Sequence, residues 1–122
     1  MQFNRETTDA LTVRSFEPGR LRVGEKWFTD NLILTRAEVI APWPISHAGE
    51  VSRSSLAPAL EQAPEILLIG TGVAYAMCDT TLIGELARDG IGVEFMDTAA
   101  ACRTFNVLVH EQRSVVAALC LE

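Results

Sequence analysis

Ile66-Leu67-Leu68-Ile69 is an unbroken apolar run, closed by Gly70-Thr71-Gly72. A strand with one face in water alternates apolar and polar residues, because successive side chains point to opposite faces. Apolar residues in direct succession need both faces covered. This segment therefore demands a central strand with packing above and below it. The first third of the chain carries the other pattern. Leu11-Thr12-Val13-Arg14-Ser15-Phe16 and Arg20-Leu21-Arg22-Val23 alternate with period two. Glu17-Pro18-Gly19-Arg20 places Pro and Gly as a type II turn wants them, and Gly24-Glu25 is a hairpin link to Lys26-Trp27-Phe28. Asn31-Leu32-Ile33-Leu34-Thr35 is a further strand candidate, so the first third reads as an antiparallel β-meander.

Val39-Ile40 forms a short strand ahead of Pro42-Trp43-Pro44, where helix is ruled out. Residues 46–53 read as a loop. Ser54 or Ser55 starts a short helix with Pro58 in its first turn, and Pro64 closes it. After the apolar strand, Asp79, Thr80 and Thr81 are N-cap residues for a helix. Its apolar stripe is Leu82, Ile83, Leu86 and Ala87, and its stop is Gly90. Ile91-Gly92-Val93-Glu94-Phe95-Met96 is a strand. Asp97 or Thr98 caps a second helix running to about Gln112, and residues 114–121 form a long central strand. The chain is expected to be one α/β domain spanning residues 1–122. A β-meander is followed by β-α-β-α-β, giving a mixed central sheet flanked by helices.

A chain of 122 residues is long enough for one core. The net charge of −6 is unevenly placed. Residues 1–60 hold seven basic and seven acidic side chains, residues 61–122 three and nine. That distribution argues against nucleic acid and anionic membrane as partners, though a local basic pocket remains compatible with it. Met1-Gln2-Phe3-Asn4-Arg5-Glu6 has no apolar core, which does not fit a signal peptide. No run approaches the ~18 apolar residues of a membrane span. Cys78, Cys102 and Cys120 are scattered, with no C-x-x-C pair. A reducing cytoplasm, no membrane insertion and no metal or other cofactor are the expectations.

Gly70-Thr71-Gly72 invites a dinucleotide reading, but the fingerprint needs a third glycine where this chain has Tyr75. A tight exit from a buried strand explains the glycines more simply. Asp97-Thr98 reads first as a helix cap; the helix start behind it offers free N–H groups and a positive dipole end. Arg103, Asn106, His110 and Arg113 are spaced by three, four and three, so they share one helical stripe. Ala101, Phe105, Leu108 and Val109 face the sheet. A polar stripe is ordinarily solvated. Asn106, however, is a weak helix former, and Arg103 is a cation in the first turns of the helix. Such placements suit a hydrogen-bonding role or a pocket. Cys102 could ionise near a helix start, but His110 lies ~12 Å further along that helix and cannot pair with it without help; the sequence does not place His47, the other histidine. Glu111 is expected to pair with Arg113 or nearby backbone.

The chain resembles the Mth-like domain family, which includes mitochondrial complex I assembly factor 3 and the adipogenesis-associated Mth-domain protein. The residues that carry the resemblance are Gly70-Thr71-Gly72, Gly90-Ile91-Gly92-Val93-Glu94, Met96-Asp97-Thr98-Ala99-Ala100-Ala101-Cys102-Arg103-Thr104-Phe105-Asn106-Val107-Leu108, and the Glu111-x-Arg113-x-Val115 segment with Ala117-Ala118-Leu119. It spans about residues 11–121. The resemblance implies a mixed central sheet with an added β-layer, no established enzyme activity, and an assembly role in one eukaryotic branch. It implies a pocket at Gly70, Gly72, Met96, Thr98, Thr104 and Asn106. One segment departs from the family: many members carry basic or glutamine residues and a proline after the second glycine. Here it reads Val73-Ala74-Tyr75-Ala76-Met77-Cys78-Asp79.

Two functions are expected to compete. One is a non-catalytic binding, assembly or accessory factor with protein partners, exposing Trp43, Tyr75 and Met77. The other is a small-molecule binder or minor enzyme using a crevice between Gly72 and Thr98. Its ligand residues would be Gly70, Thr71, Gly72, Met96, Thr98, Arg103, Thr104 and Asn106. No catalytic residue is assigned.

Overall fold

The structure is a computed structural model and describes residues 10–76 and 79–122. Strands β1 (Val13–Glu17), β2 (Arg20–Val23) and β3 (Lys26–Phe28) form a three-stranded antiparallel sheet. Strands β4 (Leu32–Leu34), β5 (Val39–Ile40), β6 (Ile66–Gly70), β7 (Gly92–Met96) and β8 (Val115–Leu119) form the main sheet, in the order β5-β4-β8-β6-β7. β6 runs parallel to both β7 and β8, and β4 runs antiparallel to β5 and β8. Helix α1 is a single turn (Ala57–Leu60), α2 spans Thr80–Arg88 and α3 spans Thr98–His110. The single mixed α/β domain with an added β-layer is therefore as the sequence indicated.

The apolar run behaves as its pattern requires. Leu67 and Ile69 point to one face of the main sheet, where they pack with Leu82 and Leu86 of α2, Trp43 and Leu56. Leu68 points to the other face, against Ala101, Phe105 and Val109 of α3 and Leu21 and Val23 of β2. The small sheet thus shares a face with α3. Phe105 is fully buried, and cutting it to Ala would cost about 3–5 kcal/mol.

Several local expectations need correction. β4 leaves the meander and joins the main sheet, pairing with β8. All three of its residues are buried, because Leu32-Ile33-Leu34 is itself an unbroken apolar run with cover on both sides. α3 stops at His110, and Gln112 adopts φ +62°. Arg113 therefore lies beyond the helix, and its Nε donates to Glu65 Oε1 at 3.2 Å rather than pairing with Glu111. The first α1 residue is Ala57 rather than a serine, since Ser52 and Ser55 spend their hydroxyls on each other's backbone N–H groups. The 46–53 loop contains a 3-10 turn, Ala48–Glu50, capped by His47 Nδ1. Trp43 is only 2% exposed and donates its indole N–H to Ser55 O at 2.7 Å, so it offers no docking surface.

Candidate functional site

In an open α/β sheet a ligand ordinarily sits beyond the carboxyl ends of the parallel strands, where neighbouring connections diverge. Here the chain leaves β6 for β7 on one side and returns to β8 on the other, so that place lies over Gly70 and Leu119. Gly70 and Leu119 are register partners. α3 starts beside them. Asp97 caps it, Oδ1 accepting from Ala100 N at 2.9 Å, as its sequence position indicates.

The space above these strand ends is filled by the chain itself. Thr98 is fully buried. Its hydroxyl donates to Cys120 O at 2.6 Å and accepts from Gly72 N at 2.9 Å, while its own N–H donates to Gly72 O at 2.9 Å. A ligand between Gly72 and Thr98 would have to displace that reciprocal pair. A Cβ on Gly70 would lie 2.7 Å from Thr98 Oγ1 and 2.8 Å from Leu119 Cδ2. Gly72 sits at φ +110°, and a Cβ there would overlap the backbone carbonyl oxygen of Glu122. Both glycines therefore admit this chain's own atoms at close range.

A residue that motif reading passed over completes this closure. Asn31 Oδ1 accepts from Leu121 N at 2.8 Å, its Nδ2 donates to Ile45 O at 2.7 Å, and Gly19 N donates to Leu121 O at 2.7 Å. Residues 120–122 are thus tied to β6, to α3, to the β1–β2 turn and to the segment before β4. No sequence signal marks Asn31, because every partner it serves is remote in the chain.

The eight residues expected to share a pocket fall into two groups. Gly70, Thr71, Gly72, Met96, Thr98 and Thr104 gather at the ends of β6 and β7, where Thr71 N donates to Met96 O at 2.8 Å and the Thr104 hydroxyl meets Met96 Sδ at 3.6 Å. Arg103 and Asn106 lie on the side of α3 that faces β1. Asn106 clamps that strand: Oδ1 accepts from Val13 N and Nδ2 donates to Val13 O, both at 2.9 Å. The weak helix former is there for its amide. Arg103 is exposed and lines a cleft of about 220 Å³ between β1 and α3. Cys102, 5% exposed, lies at the same cleft, and burial pushes its thiol up to about 12 against the opposing pull of Arg103. It is no nucleophile at neutral pH. No group of side chains among the described residues could hold a metal ion.

Thr71 does one further thing. Its hydroxyl donates to Ala74 O at 2.8 Å and accepts from Ala76 N at 3.0 Å, closing the 71–76 loop on itself. Residues 73–76 are exposed, with Val73 at 56% and Tyr75 at 54%. Met77 and Cys78 lie outside the described residues.

The family described as protein of unknown function (DUF498/DUF598) matches residues 13–120. The chain belongs to this family. The 13 kDa major membrane protein of Francisella tularensis is 35% identical over 96 residues, 78% of this chain and 76% of that protein. NADH dehydrogenase [ubiquinone] 1 alpha subcomplex assembly factor 3 of Danio rerio is 32% identical over 118 residues, 94% of this chain and 67% of that protein. A solved structure from Bordetella parapertussis superposes with a TM-score of 0.85 at 34% identity, covering 93% of this chain and 97% of its own. A Bordetella pertussis protein described as a Mth938-like domain superposes with a TM-score of 0.80 at 28% identity, over 99% of this chain and 91% of its own. The resemblance to the Mth-like family is thereby shown. Among the described residues no helix is long and apolar enough to cross a membrane.

Proposed function

We propose that this chain is a non-catalytic accessory factor that works by holding a protein partner, in the manner of the respiratory complex I assembly factors it resembles. The observation that carries the reading is the loop at residues 73–76. It places two large apolar side chains more than half in water, on a backbone that Thr71 fixes from both sides. Exposed apolar side chains on a fixed backbone are what a protein interface uses at its centre. Next to it, the position where a sheet of this kind ordinarily takes a ligand is filled by Thr98 and residues 120–122. Gly70, Gly72, Met96, Thr98 and Thr104 then serve as the frame that holds the loop. The relatives named as assembly factors support the partner class. The compartment we assign is the cytoplasm, on the charge and thiol pattern of the sequence.

Deleting the gene in its own host and resolving respiratory complexes on native gels tests this. Loss of mature complex I is expected, with rescue by the wild-type chain and not by a Val73→Glu/Tyr75→Glu double variant of unchanged melting temperature. Normal complex I in the deletion strain would sink the reading.

A further inference from the structure

We propose that the cleft between β1 and α3 is a binding site for the phosphoryl group of a small anion, held between Arg14 and Arg103. The cleft is built by a defect in strand pairing. Val13 pairs with Val23 and Ser15 with Arg22, so Arg14 is the extra residue of a β-bulge. Bulges re-aim a side chain and open a strand locally. The two bonds from Asn106 to Val13 pin the bulge against α3. The resulting cleft is lined by Arg14, Ser15 and Phe16 on one wall and by Ala99, Cys102 and Arg103 on the other.

Its charge is out of character for the chain. Acidic side chains number 16 against ten basic ones, yet no acidic one lines this cleft among the described residues. Residues 61–122 contain three basic residues, Arg88, Arg103 and Arg113, and one of these is here. Arg103 has no ion-pair or hydrogen-bond partner among the described residues. Among those residues Arg14 has only Glu25 at 3.8 Å, whose side chain is 84% exposed, a contact worth little in water. Two guanidinium groups thus line one small cleft. The Cys102 thiol keeps its proton and adds no opposing charge.

A second cleft supplies the contrast. It has about 490 Å³ and lies at the other end of the parallel strands, and Arg53 lines it too. There Asp89 and Glu65 also line the walls, and Arg53 is already paired with Asp89. That guanidinium is paired in place; among the described residues Arg14 has only its loose contact with Glu25, and Arg103 has none.

Geometry narrows the ligand. Guanidinium forks match the oxygens of a phosphoryl group two at a time. A volume of about 220 Å³ is below that of drug-sized sites, which run from about 300 Å³ upward. It matches a phosphoryl group with a few further atoms.

Amide chemical-shift titration of the full chain tests this, with inorganic phosphate and glycerol 3-phosphate as probes and sodium chloride holding ionic strength constant. Saturable shifts at Arg14, Ser15, Cys102 and Arg103 are expected with both probes. Tighter binding of the ester would assign a phosphorylated metabolite, and equal binding would assign free phosphate. Arg14→Gln and Arg103→Gln should each weaken binding about tenfold or more, while Arg53→Gln leaves it unchanged. Arg103→Lys, which keeps the charge and loses the fork, should fall between. Shifts that chloride reproduces, that never saturate, or that survive Arg14→Gln/Arg103→Gln in a chain with a native spectrum would overturn the proposal.

Discussion

The first half of α3 borders two regions of opposite character. On one side Thr98 and Thr104 face the ends of the parallel strands, and every space a glycine leaves there is taken by the chain's own atoms. On the other side Arg103 and Asn106 face β1, and a bulge leaves a small cationic cleft. Strand-exit glycines and a capped helix start, the features that usually suggest a ligand, belong to the closed side. The open side carries neither a strand-exit glycine nor a helix cap. A glycine states that something approaches the backbone closely. It does not state whether that is a phosphate or a threonine from 26 residues away.

The closed side should be the more fragile. Gly72→Ala adds a Cβ onto Glu122's carbonyl at φ +110°, and should destabilise by about 3 kcal/mol or more in chemical denaturation. A stable Gly72→Ala variant would mean the tail is easily displaced, and the closed side would have to be reread as a site with a movable cover. Thr98→Val removes the hydroxyl that serves Gly72 N and Cys120 O, and should cost about 2–3 kcal/mol, with Thr98→Ser recovering most of it. On the open side, Asn106→Ala should cost about 1–2 kcal/mol. It should also speed hydrogen exchange in β1 while leaving β6 protected, since only β1 depends on that amide. Equal acceleration in both strands would erase the distinction between the two sides.

Cys102 gives a pH test. Its folded thiol is pushed up to about 12 from an ordinary 9.0. Above pH 9 the unfolded chain releases a proton that the folded chain keeps, so stability falls as pH rises from about 9 towards 12. The loss should reach about 1 kcal/mol by pH 10 and should disappear in Cys102→Ala. An unchanged slope in that variant would place the alkaline loss elsewhere. The smallest effect belongs to the loop at residues 73–76. Val73→Ser and Tyr75→Ser should change stability by less than about 0.5 kcal/mol, because neither side chain is buried. A larger loss would make the loop part of the core rather than a presented surface.

Much of the fold was legible in local pattern. The β1–β2 and β2–β3 hairpins follow from period-two alternation and from Gly19 and Gly24, both at positive φ. The central place of β6 follows from its unbroken apolar run, and the starts of α2 and α3 from Asp79 and Asp97. The departure of β4 from the meander was legible too, in Leu32-Ile33-Leu34, but alternation elsewhere in the first third masked it. The end of α3 was placed two residues late, since Glu111 and Gln112 are good helix formers and carry no stop signal.

Local pattern in the sequence determined most element types and which runs need cover on both faces, because hydrophobic period and capping chemistry act within a few residues; the family and the added β-layer followed from the resemblance. Only the tertiary structure decided which side of α3 is shut and which is open. That outcome rests on bonds spanning 22 residues from Thr98 to Cys120, 90 from Asn31 to Leu121 and 93 from Asn106 to Val13. Each joins an ordinary polar side chain to a backbone group. Backbone groups throughout the chain could donate or accept such a bond, so no local pattern selects the one that does.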